Sequence, residues 1–176
     1  MSLPLYRRVL GARFAVLPRR VRELHELEAA SQWTGMASVE RGRSRLSRLA
    51  AWFAGLPPDG QDQVLCVTFE PIGGHEIWTR RFGEVRFRSV QYERGGFLCE
   101  RAGPSTFVFT PVASGSGLAL RLDGFRLLGL PLPRRVHPHV RTWECEREGR
   151  YQFEVEARMP LAGLIIRYDG WLVRQG

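Results

Sequence analysis

From Gln63 to Arg174 apolar and polar positions alternate with a period of two, in runs at 63–70, 76–82, 85–93, 96–101, 106–113, 117–130, 141–148, 150–157 and 163–174. Alternation of this kind places apolar side chains on one face of an extended strand and polar ones on the other. Gly73 with Gly74, Gly95 with Gly96, Gly115 with Gly117, and Gly149 stand between consecutive runs, where tight hairpin turns need positive φ. The spacing predicts eight or nine short strands in an antiparallel meander, and a sheet of that size curls or closes. The cleanest run sets Tyr151, Phe153, Val155 and Ala157 toward the core and Gln152, Glu154, Glu156 and Arg158 toward water.

The first sixty residues carry a different period. "PLYRRVLG" and "LPRRVRELHELEA" read as short helices; in the second, Pro18 suits a first helical position and Leu17, Val21 and Leu24 form a narrow apolar stripe. "GMASVERG" at 35–42 reads as a short strand. "RSRLSRLAAWFAGLPP" then has Ser44 to cap a helix, Leu46, Leu49, Ala50 and Phe53 as its buried stripe, and Gly55, Pro57 and Pro58 to end it. Its Arg43, Arg45, Arg48 and Trp52 raise the idea of an interfacial membrane helix. The segment is short for that, and the same stripe suits a helix packed on a sheet, which is the reading preferred. The expected fold is α+β in one domain over 1–176: a mainly helical part at 1–60 packed on a large, strongly bent, barrel-like antiparallel sheet at 61–176. A helix-grip architecture would want a long C-terminal helix, whereas the chain ends in strand-like "GWLVRQ".

Composition narrows this little. At 176 residues, 44% hydrophobic and 25% charged, the chain is globular and long enough for a real core. Its apolar stretches are too short for a membrane span, and the N-terminus lacks the long apolar region of a secretory signal, so the cytoplasm is the expected location. Three widely spaced cysteines, Cys66, Cys99 and Cys145, fit neither a disulfide framework nor a zinc knuckle. The net charge of +8 invites a nucleic-acid reading, but the excess sits in residues 1–50. The strand region has no continuous basic and aromatic surface and no known binding motif, so a solvated arginine face is the better account and nucleic acid is not expected.

Familiar chemistry is absent from the motifs. His137, Pro138 and His139 give a His-x-His spacing, with only His25 and His75 as distant third ligands, so no metal is expected. There is no G-x-S-x-G elbow, phosphate loop or G-x-G-x-x-G, so no cofactor is expected either. What stands out is "EIWTRRFG" at 76–83. As a strand it puts Trp78, Arg80 and Phe82 on one face, and "FLCERAGP", in the strand after next, puts Leu98 and Glu100 on one face. Arg80 and Glu100 then read as an inward pair of opposite sign, and burying either alone would be costly. Two readings stand. In the blander and favoured one the pair is a satisfied structural ion pair that fixes register. In the other it lines a cavity walled by Trp78, Phe82 and Trp143 and orients the polar end of an apolar ligand.

The ordered segments "LYRRVLGARFAVLPRRVRELH", "GMASVERG", "EIWTRRFG", "FLCERAGP", "LGLPLPRRVHP" and "YQFEVEARMPLAGLIIRYDGWL" resemble the bacterial family known as domain of unknown function 4166 (DUF4166). The resemblance runs from Leu5 to Leu172, with Trp78, Arg80, Phe82, Glu100, Tyr168 and Trp171 among the matching positions. It implies no catalytic residues. Members that stand alone or follow nucleotide-binding oxidoreductase-like domains imply an accessory or ligand-handling role. The expected function is a non-catalytic binder of a small apolar or amphipathic ligand in the hollow of the sheet. The alternative is an accessory subunit or enzyme acting with a separate oxidoreductase, with Glu100 as acid or base and Arg80 as the anion-stabilising group.

Overall fold

The computed structural model describes residues 3–176. The chain begins with α1 (Leu5–Leu10), a 3-10 segment (Gly11–Val16) and α2 (Arg19–His25). There follow β1 (Ser31–Arg41), α3 (Arg45–Phe53), β2 (Gly60–Ile72), β3 (His75–Phe82), β4 (Val85–Arg94), β5 (Phe97–Ala102) and β6 (Ser105–Ser114). β7 (Gly117–Leu127), the two-residue β8 (Leu130–Pro131), a 3-10 turn (Arg134–Val136), β9 (His139–Arg147), β10 (Arg150–Met159) and β11 (Gly163–Arg174) complete the chain.

Apart from the small β8 flap on β7, every strand pairs antiparallel with its neighbours in sequence, β7 reaches β9, and β11 returns to β1. The bent sheet is therefore a closed, ten-stranded up-and-down barrel, which leaves no free edge. The turns Gly73–Gly74 and Gly95–Gly96 have positive φ at both residues, the geometry that matches strand twist in two-residue hairpins. The closing strand β1 is longer than the stretch read from sequence, and its seam with β11 is tight. A Cβ at Gly35 would overlap the Trp171 carbonyl oxygen, and one at Gly170 would overlap the Met36 carbonyl oxygen.

Strand alternation decides what each face meets. On β3, Glu76, Trp78, Arg80 and Phe82 are buried while Arg81 is exposed. On β10, Tyr151, Phe153, Val155 and Ala157 face the interior, and outside it Arg158 pairs with Glu156 at 2.7 Å and Arg167 of β11 with Glu154 at 3.1 Å. A charged outer wall of this kind is the reverse of the apolar band that a membrane-spanning barrel presents to lipid. Among the described residues no helix is long and apolar enough to cross a membrane.

The N-terminal helices plug one end of the barrel. Leu5, Tyr6, Leu10, Phe14, Leu17, Val21 and Leu24 are all buried in the same cluster as Trp33, Phe69, Trp78 and Tyr151. Arg20 of α2 ties the plug to the β9–β10 hairpin through Glu146 Oε2, which accepts from its backbone N–H at 3.0 Å, and through the Gly149 carbonyl, which accepts from Nε at 2.8 Å.

At the opposite end α3 departs from expectation. Ser44 caps it, accepting from the Ser47 N–H at 3.0 Å, and Gly55 at φ +61° ends it, as its sequence predicts. The stripe of Leu46, Leu49 and Phe53, however, is exposed, with only Ala50 of that set half-buried; the residues the helix buries are Ser47 and Ala51. The reason is the closeness of the backbone beneath. Ser44 Oγ donates to the Ala162 carbonyl at 2.7 Å, and a Cβ on Gly42 would strike both the Leu164 carbonyl and Ser47 Oγ. Only small side chains fit under the helix, so its large apolar ones turn outward.

Candidate functional site

Between the plug and α3 the barrel holds a cavity of about 610 Å³. Its walls are apolar, built from the inward positions of β2 (Leu65, Val67, Phe69), β3 (Trp78, Phe82), β6 (Phe107, Phe109) and β10 (Phe153, Val155, Ala157). Toward α3 it is rimmed by Phe53, Pro104, Leu127, Leu128, Pro138 and Met159, which sit at the ends of strands or in the turns between them. The polar residues that line it, Arg80, Gln91, Glu100, Ser105, Thr142, Glu144, Tyr151 and Tyr168, are few.

Register explains how the polar groups meet. Arg80 faces Phe87 across the β3–β4 pair, Gln91 faces Glu100 across β4–β5, and Phe153 faces Glu144 across β9–β10. Arg80 Nη2 lies 3.6 Å from Glu100 Oε1, and Nη1 donates to Ser89 Oγ at 3.0 Å. Its guanidinium also lies against the Trp78 and Phe87 rings, at 4.9 Å and 5.5 Å from their centres. Such a cation held against aromatic faces in a desolvated wall is a strong electrostatic anchor. The predicted pair is thus formed, and the same two side chains line the cavity.

A second polar layer seats the plug beneath the cavity. Tyr6 donates to Gln91 Oε1 at 3.0 Å and stacks on His25 with ring centres 3.7 Å apart. His25 Nε2 is 2.5 Å from Glu144 Oε2, so a helix residue reaches a carboxylate that also faces the cavity. Burial first, and then neighbouring carboxylates, push the Tyr6 and Tyr151 phenols well above their ordinary range. Burial likewise raises Tyr168, against the opposing pull of Arg80. All three are therefore neutral O–H donors near pH 7. No hydrogen bond among the described residues occupies the Tyr168 hydroxyl, and Arg80 and Glu100 lie within electrostatic reach of it.

Glu76 belongs to this layer too: its Oε2 accepts from the Trp78 indole N–H at 3.1 Å, and it is fully buried. Burial pushes its carboxyl above the ordinary value of 4.5, while His25, the indole N–H and Arg8 pull the other way. A carboxyl raised by folding holds its proton in the native state over a window in which the unfolded chain has released it. Its stabilising contribution is then full below the ordinary value and declines as pH rises through the raised one. Glu76→Gln keeps the acceptor for Trp78 and removes the titration. The stability of this variant relative to the parent should rise from about pH 4 upward and level off once the native carboxyl has ionised. Urea midpoints of both proteins across that range test it, and a difference independent of pH would contradict the assignment.

Of the residues singled out from the sequence, Trp78, Arg80, Phe82 and Glu100 converge on the cavity; Trp143 does not. On β9 the inward side chains are Val140, Thr142 and Glu144, so Trp143 projects from the outer wall, where its ring covers Gly117. Aromatic character suggested the interior, but the alternation of Val140 and Thr142 assigns it to Glu144. Tyr6 and His25 were also missed, since their approach to the barrel depends on how the plug docks. His137, half of the His-x-His motif, has Nε2 2.8 Å from the Leu132 carbonyl oxygen, within the loop before β9.

Fold and site together define a closed antiparallel β-barrel with a helical plug at one end and an apolar internal cavity lined by few polar groups. The family model for domain of unknown function 4166 matches residues 17–172, and the chain belongs to that family. Searches of curated proteins and of solved structures found no match.

Proposed function

We propose that the barrel binds one small amphipathic molecule, its apolar body in the hollow and its oxygen-bearing end against Arg80, Glu100 and Tyr168. The observation that carries this reading is the cavity itself. Its volume of about 610 Å³ lies within the range of small-molecule sites, and its walls are apolar with a few convergent polar groups. Natural cores are packed to crystal-like density with few voids larger than a water molecule. The hollow opens at its α3 rim and is lined almost wholly by apolar side chains, so its volume is read as space for a ligand rather than as a packing fault.

The polar end supplies direction. Tyr168 and Arg80 donate, Glu100 accepts, and the charges of the last two balance, so the arrangement suits a hydroxyl or carbonyl better than a second full charge. Native mass spectrometry of freshly purified protein beside its denatured mass, with extraction of whatever is released, tests the reading together with titration of N-phenyl-1-naphthylamine. A bound species of a few hundred daltons, or saturable uptake of the probe at one site per chain, is expected. A clean ligand-free mass combined with no probe uptake would end the proposal.

A further inference from the structure

The end of the barrel at which the cavity is rimmed by α3 exposes large apolar side chains that the fold leaves uncovered. Leu46, Leu49, Trp52 and Phe53 of α3 are all more than half exposed, with Trp52 at 71%. Across the rim, Leu128 is 78% exposed and Leu161, in the β10–β11 turn, 97%. Both leucines have positive φ, +51° and +66°. Turn residues in that conformation are ordinarily Gly, Asn or Asp, and a bulky side chain there is strained. At two turns of one barrel end, the chain accepts that strain and holds a leucine out into solvent.

Charge follows the same outline. Segments 43–56 and 126–136 flank the rim and contain Arg43, Arg45, Arg48, Arg126, Arg134 and Arg135, with no aspartate or glutamate in either. All six are exposed. Among the described residues none of them is in an ion pair. The two segments meet at one end because Phe53 and Leu128 rim the same cavity, Leu128 N–H donates to the Pro104 carbonyl at 2.8 Å, and α3 is pinned to the Leu161 turn through Ser44 and Ala162.

We propose that this end of the barrel docks on an anionic lipid bilayer, with Trp52, Leu128 and Leu161 inserted at the level of the headgroups and the six arginines held against their phosphates. Separate apolar tips flanked by arginines that form no ion pair fit a fluid anionic surface, where tryptophan and leucine enter the interface and arginine meets phosphate. A second copy of this chain would instead bring arginines against arginines. The reading also gives the rim a purpose: an apolar molecule can pass between bilayer and cavity without crossing water. That last clause rests on the ligand reading above; the docking itself does not.

The test is flotation of the full chain with phosphatidylcholine vesicles, with and without about one-third phosphatidylglycerol, beside titration of N-phenyl-1-naphthylamine. Trp52→Glu and Leu128→Asp remove apolar tips, and Arg45→Glu with Arg48→Glu reverses charge; Trp52, Arg45 and Arg48 lie outside the cavity lining. Binding to the anionic vesicles is expected, weakened at least about tenfold in each variant and by salt, with the probe affinity of Trp52→Glu and of the arginine variant equal to the parent's. Parent protein that takes up the probe but floats with neither vesicle overturns docking and leaves the ligand reading standing. Flotation that survives all three variants overturns the surface assigned here. A dimer in sedimentation velocity that Trp52→Glu dissolves, without flotation, assigns the face to a second copy and also overturns it. Flotation without probe uptake supports docking and counts against the ligand reading alone.

Discussion

Arg80→Met should cost roughly 3–5 kcal/mol of folding stability, the range for removing one partner of a buried ion pair. The cost has a local origin. Arg80 and Glu100 are 11% and 16% exposed at their side chains, and the groups around them include Trp78, Phe87 and Phe107, none of which can replace a guanidinium beside the carboxylate. Arg80→Met also strips the cation from the Trp78 ring and leaves Ser89 Oγ without its donor. For a chain of this length the loss corresponds to a drop in Tm of about 6–20 °C. Glu100→Gln should cost less, since a neutral amide can still accept from the guanidinium. Arg80→Met combined with Glu100→Leu should recover much of the loss, because an apolar pair of similar volume needs no desolvation to be repaid. A double-mutant cycle by urea unfolding decides the matter. A loss below about 1 kcal/mol in Arg80→Met would place the pair among solvated surface contacts and remove it from the cavity wall.

That pair also shows what local pattern can and cannot carry. Strict alternation in "EIWTRRFG" and "FLCERAGP" was enough to put Arg80 and Glu100 on the same side of the sheet, because a strand has only two faces and the glycine turns between runs preserve register. Closure was less legible. It depends on β1, a strand from the otherwise helical first third, and on Gly35 and Gly170 letting β1 and β11 approach at the seam. α3 misled for a physical reason: its stripe satisfies every rule for a core-facing helix, but the close backbone below admits only Ser47 and Ala51. Amphipathic period reports that a helix has two faces; which face is buried is set by what lies beneath it. Trp143 misled in the complementary way, by residue type against alternation. The plug contacts Tyr6–Gln91 and His25–Glu144 join residues 85 and 119 positions apart, and no spacing rule reaches that far.

Filling the cavity from its wall should abolish ligand uptake without unfolding the barrel. Ala157 of β10 faces the hollow between Val140 and Ile166, and Ala102 of β5 faces it from elsewhere on the wall. A tryptophan at Ala157 projects its indole into open volume, so the overpacking that costs about 1–3 kcal/mol in a dense core is relieved here by existing space. Burial of the new apolar area is expected to leave Tm unchanged or slightly raised, as cavity-filling substitutions often do. The ligand loses the same space, and N-phenyl-1-naphthylamine should bind at least about a hundredfold more weakly, a change of roughly 2.7 kcal/mol. Ala102→Phe serves as the independent second variant, since it fills the hollow from a different strand and spares β10. Two variants that fold and still take up the probe with parental affinity would place binding outside the barrel. The comparison with Trp52→Glu then separates the two proposed roles: Ala157→Trp should float with anionic vesicles and bind the probe at least about a hundredfold more weakly, while Trp52→Glu should take up the probe and float at least about tenfold more weakly. A barrel that fetches an apolar molecule from a bilayer requires both dissociations, because the docking surface and the hollow are built from different side chains that meet only at Phe53 and Leu128 on the rim.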